Sequence, residues 1–453
     1  MKKFRHVLAA VFACVMLAAC FTGCGDNGGS GNNDAKEITV AVVNDTVEQN
    51  ILNALIEGYK AKEGNADKKI KLIKINTSYD AWVPNKIYTN TLPDMISVYD
   101  YSSEYWTYQN LYRPITDLMT RDGINEADYF ESPMSMAKSG QAGDDNYYWL
   151  PRDYNKVVVC YNTRMFEIAG VEKPQDDWTM SDFKAACALL AENADKIKAE
   201  YDQSKFWPVE MQLNWAATYY PFVKSYGGDL FDFENETVFK NLDKVKKAFN
   251  VLLEYADEPT DEPYRGTGYS FPPDDDKLAF ANKQAAMIFT SRPNIQRYAA
   301  NLDNNIDFVS MPIIEDRETE QSYVGMGCTG YAITKTCADD KLELAWDFLK
   351  YIVSEDGQEV LGALGSGVPV LKSLASDENA AWRTFISKDL NHEAFVKYPE
   401  RDLAMNYYKG FKVSKQLGLY TELQNKLLKA FYETDDRDAY YAQFKSDIEK
   451  LLK

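Results

Sequence analysis

Three short clusters carry groups able to hydrogen-bond to or stack on a small polar molecule: Asn44-Asp45, Tyr99-Asp100-Tyr101 and Arg152-Asp153. The first two directly follow apolar, β-prone runs, Glu37 to Val43 and Ile96 to Val98. They therefore stand at the carboxyl ends of strands, where open α/β sheets put their ligand crevices. The third lies in a loop between Leu150-Pro151 and the β-branched run Val157 to Val159. Pro151 ends the preceding segment because it has no N–H to donate. The run after the loop is apolar throughout, which suits a strand buried on both faces. Tyr147-Tyr148-Trp149 leads into this loop, and aromatics beside polar groups at the mouth of a buried strand suit a small-molecule cleft.

Catalytic chemistry is hard to assemble from the remaining residues. The chain has two histidines, His6 and His392, and the stretch Asn391-His392-Glu393 reads as exposed surface. No phosphate-binding glycine loop, dinucleotide fingerprint, HExxH or CxxC occurs. Asp274-Asp275-Asp276 and Asp435-Asp436 lack the alternating ligands and glycine of a calcium loop and read as solvated turns. No metal or cofactor is expected. A carboxylate pair for glycoside hydrolysis stays open, since its spacing is a property of the fold.

The elements that must hold these clusters alternate. Strand Glu37 to Val43, a helix from Val47 to Lys62 with apolar Ile51, Leu52, Leu55, Ile56 and Tyr59, and strand Lys69 to Ile75 form a βαβ unit on a parallel sheet. Thr163 to Gly170 reads as a short helix closed by glycine, and a helix capped at Thr179 runs to about Lys198. Ala285 to Phe289 is a buried strand, and Asp307 to Pro312 an edge strand. The glycine-studded Tyr323 to Ile333 suggests a crossover where backbone passes close to ligand. Leu342 to Val353 is an amphipathic helix, and the chain beyond Pro369 reads as helical.

The N-terminus reads as an export signal: Lys2, Lys3 and Arg5 precede an apolar segment, Val7 to Ala19, too short to span a bilayer. Small residues before Cys20 and again before Cys24, then a Gly/Asn/Ser tether to Asn33, resemble a lipoprotein processing site. Cys24 is the expected lipid-bearing residue, with Cys20 as the alternative. A net charge of −19 argues against nucleic-acid binding and against lying on an anionic membrane surface. Beyond residue 24, Cys160, Cys187, Cys328 and Cys337 are too few and too scattered for a disulfide framework. The chain holds 31 Tyr and 8 Trp, stiff amphipathic rings suited to ligands with polar edges and apolar faces.

Taken in order, several landmarks resemble the bacterial extracellular solute-binding proteins of family 1, the sugar-binding group that serves ABC importers. They are the lipoprotein site, Ile38 to Val43 before a polar turn, Pro93-Asp94, Leu150-Pro151 with Tyr161-Asn162, Phe166 to Gly170 and Trp178-Thr179. Gly227-Gly228 before Leu230-Phe231-Asp232, Ala286-Met287, Met311-Pro312, Ala345-Trp346-Phe348-Leu349 and Val368-Pro369 complete the set. Two departures stand out. Arg292-Pro293 occupy the place of the usual tryptophan after Ala286-Met287, and the small-residue-Gly-Asp lead into Pro93-Asp94 is missing.

The resemblance implies an α/β, two-lobed periplasmic-binding-protein-like fold of type II, hinged around a cleft. Residues 37–153 with 330–372 would form the N-terminal lobe and 154–329 with 373–453 the C-terminal lobe. It further implies ligand contacts from Asn44, Asp45, Trp82, Tyr99, Asp100 and Tyr101 on the first lobe. Arg152 and Asp153 would contribute at the crossing, and Asn214, Trp215, Arg292 and Tyr407 or Tyr408 from the second lobe. Carboxylates and amides bond sugar hydroxyls while aromatic faces stack on pyranose C–H surfaces. If Arg152 and Arg292 both face the cleft, an acidic ligand is favoured. The expected protein is a monomeric, lipid-anchored receptor on the extracellular face of the cytoplasmic membrane, passing a carbohydrate to permease subunits. The rivals are an exported glycoside hydrolase and a lipoprotein adhesin or sensor partner.

Overall fold

The computed structural model describes residues 37–405, except 142, 214, 233, 234, 236, 256–269 and 271–277, together with the helix at 437–452. The nominated residues Cys20, Cys24, Asn214, Tyr407 and Tyr408, and the two acidic runs, lie outside the described residues. So does the lipoprotein site.

A five-stranded sheet has the order β2-β1-β3-β13-β4, built from β1 (Glu37–Val43), β2 (Lys69–Ile75), β3 (Met95–Tyr99), β13 (Thr329–Ile333) and β4 (Leu150–Pro151). β2 and β3 run parallel to β1, as the βαβ reading requires, and β13 is antiparallel to β3. β2 is an edge strand whose lysines, Lys69, Lys71 and Lys74, blunt it against further pairing. The helix Thr46–Lys60 buries the five anticipated apolar residues. It meets the helix Asp339–Val353 where the Tyr59 and Phe348 rings pack edge to face at 5.3 Å.

The second sheet has the order β11-β6-β10-β7, from β6 (Val158–Asn162), β7 (Trp207–Glu210), β10 (Ala285–Thr290) and β11 (Ile306–Ser310). Its central strands are buried on both faces, which explains their unbroken apolar runs. Asn162 caps the helix Thr163–Ala169, and Gly170, at φ 69°, closes it. The capping box between Thr179 and Asp182 starts the next helix, which ends at Glu192; a separate helix spans Ala194–Tyr201. A hairpin of β8 (Asp229–Asp232) and β9 (Thr237–Lys240) follows Gly227. Cys160, Cys187, Cys328 and Cys337 are buried free thiols.

A third sheet, β14-β12-β5, gathers β5 (Asn155–Lys156), β12 (Val324–Gly327) and β14 (Asp402–Ala404). β5 leads from β4 to β6 and β12 from β11 to β13, so both connect the two larger sheets. Between Pro369 and Met405 the chain is not all helical, since two 3-10 turns and β14 stand among its short helices, while Arg437–Leu452 is a helix as expected. Three-residue pairings of this kind leave no periodic signature in a sequence.

The glycines of β12 and β13 are explained by the protein's own chain, not by a ligand. A Cβ on Gly325 would stand 2.3 Å from the Ala217 carbonyl oxygen, and one on Gly330 2.2 Å from that of Leu150. Gly325→Ala is expected to destabilise the fold by about 1–3 kcal/mol, because pushing two backbones apart outweighs the smaller unfolded-state gain. Urea unfolding checks this; an unchanged midpoint would show that β12 can move off the 216–225 helix freely.

Candidate functional site

Two of the sequence clusters meet on one short stretch of backbone. Asp100 accepts from the Cys328 N–H at 2.9 Å through Oδ2 and from Tyr101 N at 2.7 Å through Oδ1. Asp153 accepts from Thr329 N at 2.8 Å through Oδ1 and from its hydroxyl at 2.7 Å through Oδ2. The two carboxylates thus hold consecutive residues of the turn from β12 to β13. Burial raises the Asp100 pKa to about 6, and the Asp153 charge adds to it, against the two backbone donors.

Arg152 is fully engaged. Its guanidinium makes a two-pronged pair with Glu48 at 2.8 and 2.9 Å and bonds Asp153 at 3.1 Å, at 3% exposure. Glu48 sits in the first turn of the 46–60 helix, so this pair ties the strand-end turn of β1 to the crossing. Glu48 and Thr329 are the residues that sequence reading missed. The available signal was Glu48's place three residues after the Asp45 cap. On the other side of the crossing, buried Lys156 pairs with Asp402 at 2.7 Å, and Tyr154 donates to the same carboxylate. Lys156 also donates to the Lys397 and Tyr398 carbonyls at 2.7 and 3.1 Å. Arg152, Asp153 and Lys156 thus act as ties of the crossing.

The remaining nominees divide by surroundings. Asn44 is exposed and accepts from Gln49, while Asp45 caps its helix through the Val47 and Glu48 N–H groups. Tyr99 and Tyr101 are half-buried and stack with centroids 5.9 Å apart and planes 25° apart. Tyr99 packs against the core of the first sheet and Tyr101 against that of the second. Trp82 is half-buried under the Lys86 ammonium, 5.3 Å from its ring. Trp215 is half-buried at the start of the Ala216–Ser225 helix, whose Ala217 touches β12.

Arg292 does not reach any cleft. It is 0% exposed, donates to the Trp382 carbonyl and His392 Nδ1, and lies over the Trp382 and Phe395 rings. With no carboxylate beside it, burial lowers its pKa to about 9. His392, expected at the surface, is 3% exposed. It is locked between Arg292 and the Ser387 carbonyl, so Nε2 carries the proton and Nδ1 accepts. The residue types alone could not announce this pair, because its partners lie 100 positions apart.

Around Tyr79 the fold collects buried polar groups, Asp80 against the Trp106 N–H and the Tyr99 hydroxyl against Ser97. Tyr79 links them, donating to the Ser97 carbonyl at 3.0 Å and packing edge-on to Tyr99 and Trp106. Burial raises the Asp80 pKa, opposed by the Trp106 N–H. Among the described residues no cluster of three or more His, Cys, Asp or Glu side chains is placed to hold a metal, and no helix is long and apolar enough to cross a membrane.

Comparison with known families decides the identity. Residues 54–386 match the model of the bacterial extracellular solute-binding proteins. The chain belongs to that family. Solved structures agree in fold. UgpB from Mycobacterium tuberculosis, in complex with glycerophosphocholine, superposes with a TM-score of 0.72 at 16% identity, covering 94% of this chain and 99% of that one. An ABC substrate-binding protein from Listeria monocytogenes in complex with cycloalternan gives 0.68 at 16% identity, over 92% and 98%. A cyclic α-maltosyl-1,6-maltose binding protein from Arthrobacter globiformis gives 0.65 at 17% identity, over 92% and 99%. The protein therefore has the two-lobed α/β fold of periplasmic binding proteins. No curated protein matches the sequence.

Proposed function

We propose that this solute-binding protein is the lipid-anchored receptor of an ABC importer, capturing an extracellular carbohydrate, an oligosaccharide in particular, and handing it unchanged to the permease. The observation that carries the reading is the strand-end surface at β3. Stacked Tyr99 and Tyr101 offer aromatic faces, and exposed Asn44 at the end of neighbouring β1 offers an amide. Neutral ligands fit better than acidic ones, because Arg152 already holds two carboxylates and Arg292 is buried in an aromatic core. Residues 37–153 with 330–372 and residues 154–329 with 373–453 would close on the ligand about the three-stranded crossing sheet, since only the closed form lets both lobes touch it. Asn44, Trp82, Tyr99, Tyr101 and Trp215 are the proposed contacts. Asp45, Asp100, Arg152 and Asp153 shape the surface from behind. Cys24, or Cys20, would bear the lipid on the outer face of the cytoplasmic membrane.

The complexes with cycloalternan and a cyclic maltosyl-maltose favour a glycan, and the one with glycerophosphocholine keeps a glycerophosphodiester as the second reading. Thermal unfolding of the chain from Asp34 onward, against oligosaccharides, monosaccharides, glycerophosphodiesters and peptides, separates them. A ligand at a hundred times its Kd stabilises by about 2.7 kcal/mol. A saturable shift with one glycan class, recovered intact, supports the receptor. A shift with glycerophosphocholine alone selects the second reading, cleaved glycan returns the case to a hydrolase, and no shift with any compound removes both ligand classes.

A further inference from the structure

Behind the crossing sheet, Arg401 ends the 3-10 turn Pro399–Arg401 just before β14 and is 6% exposed. Its Nε donates to the Ser322 carbonyl at 2.7 Å. Its Nη2 donates to the carbonyls of Met311 and Pro312 at 3.0 and 3.2 Å and to Ser322 Oγ at 3.3 Å. Nη1 makes no hydrogen bond among the described residues. Arg401 and its neighbour Arg317 line one cavity of about 210 Å³, shared with Gln321, Ser322, Tyr398 and Glu400. Arg317 is likewise tied only to carbonyls, those of Glu320 and Ile314, through Nε and Nη1. Its Nη2 is left over.

Two guanidinium groups thus border one cavity, and among the described residues neither forms an ion pair with a carboxylate. Burial, with Arg317's like charge, lowers the Arg401 pKa to about 10 although the Glu400 and Asp402 charges oppose it. A desolvated cation facing a second cation is unfavourable unless an anion joins them. Of the nearby acids, Glu400 forms no ion pair among the described residues, and Asp402 is held by Lys156. Glu315 holds the Met180 and Ser181 N–H groups, Asp316 pairs with Lys247 and accepts from Tyr226, and Glu318 pairs with Lys244. The donors left over, arginine Nη groups with the Gln321 amide and the Ser322 and Tyr398 hydroxyls, are those that hold tetrahedral oxyanions. Glu400 adds selectivity. Its exposed carboxylate repels an aprotic anion but accepts a hydrogen bond from one that still carries a proton.

We propose that this cavity binds hydrogen phosphate, in preference to sulfate, at a site separate from the strand-end ligand surface. The test is titration of the chain from Asp34 onward at neutral pH with sodium phosphate, sulfate or chloride at matched ionic strength. Binding is read by calorimetry and thermal unfolding. Phosphate is expected to bind saturably and raise the unfolding temperature above the chloride value, with sulfate at least tenfold weaker. Arg317→Gln, which removes a half-exposed side chain, should lower phosphate affinity at least tenfold while leaving any glycan-induced shift intact. Arg401→Lys, which keeps the charge but not the fork, should do the same. Glu400→Gln should bring sulfate up to phosphate. Equal behaviour in phosphate and chloride, or undiminished binding in Arg317→Gln, would overturn the site without touching the glycan reading.

Discussion

Arg152→Met lowers the unfolding free energy by about 3–5 kcal/mol, the usual loss when one partner of a buried ion pair is removed. The guanidinium side chain is 4% exposed, and its two acids, Glu48 and Asp153, are 16% and 4% exposed. Without it, two carboxylates are left close together with little water. Asp153 keeps the Thr329 N–H and hydroxyl, so most of the damage falls on Glu48. The double variant Glu48→Leu with Arg152→Met should therefore regain a large part of the loss, since an apolar pair in the same space carries no stranded charge. The surface pair of Arg121 with Glu343, 45% and 69% exposed, is the contrast. Arg121→Met should change stability by under about 1 kcal/mol. Urea unfolding of the three variants measures the coupling. If Arg152→Met behaves like Arg121→Met, water reaches the pair and it cannot hold the β1 turn to the crossing.

The contrast between those two arginines also shows what the sequence can carry. Local rules placed β1, β2 and their helix, the Thr179 cap and the Gly170 stop almost to the residue, because alternation, capping and left-handed glycine depend on neighbours in the chain. The strand-end position of Tyr99-Asp100-Tyr101 followed from the same reasoning. What each side chain does there was not legible, since Glu48 and Arg152 are 104 positions apart and Arg292 and Trp382 are 90 apart. His392 was expected at the surface, and Arg152 and Arg292 in the cleft. Yet Arg152, Arg292, Lys156 and His392 are all interior, held by carbonyls, rings or acids supplied by distant segments. The glycines of β12 and β13 carried a true signal of close approach, but the approaching chain was the protein itself.

A second consequence of those buried groups is a pair of opposed pH dependences. His392 is held neutral: burial and the facing Arg292, with Arg383 behind it, bring its pKa from 6.5 down to about 4, against the Ser387 carbonyl and Asp307. The unfolded chain takes up that proton near pH 6.5, so this contribution is complete above 6.5 and is lost as pH falls toward 4. Asp100 works the other way. Its carboxyl, raised from 3.8 to about 6, is protonated in the folded chain before the unfolded one, so stability rises as pH falls through the same window. A tenfold change in proton affinity is worth about 1.4 kcal/mol, so each contribution amounts to about 3 kcal/mol, with opposite sign. Between about pH 4.5 and 6 they nearly cancel. Asp100→Asn should expose the histidine's slope, losing about 1.4 kcal/mol for each pH unit of acidification. It should also carry a pH-independent penalty, because an amide cannot accept from both the Tyr101 and Cys328 N–H groups. His392→Phe should show the opposite slope, gaining stability on acidification. Urea midpoints of the parent chain and both variants at about pH 4.5, 5.25 and 6 decide the matter. Parallel lines for all three would mean that neither group changes its proton affinity on folding. The variants separate what Asp100 does as a titrating group from what it does as the acceptor that fixes the Cys328 N–H.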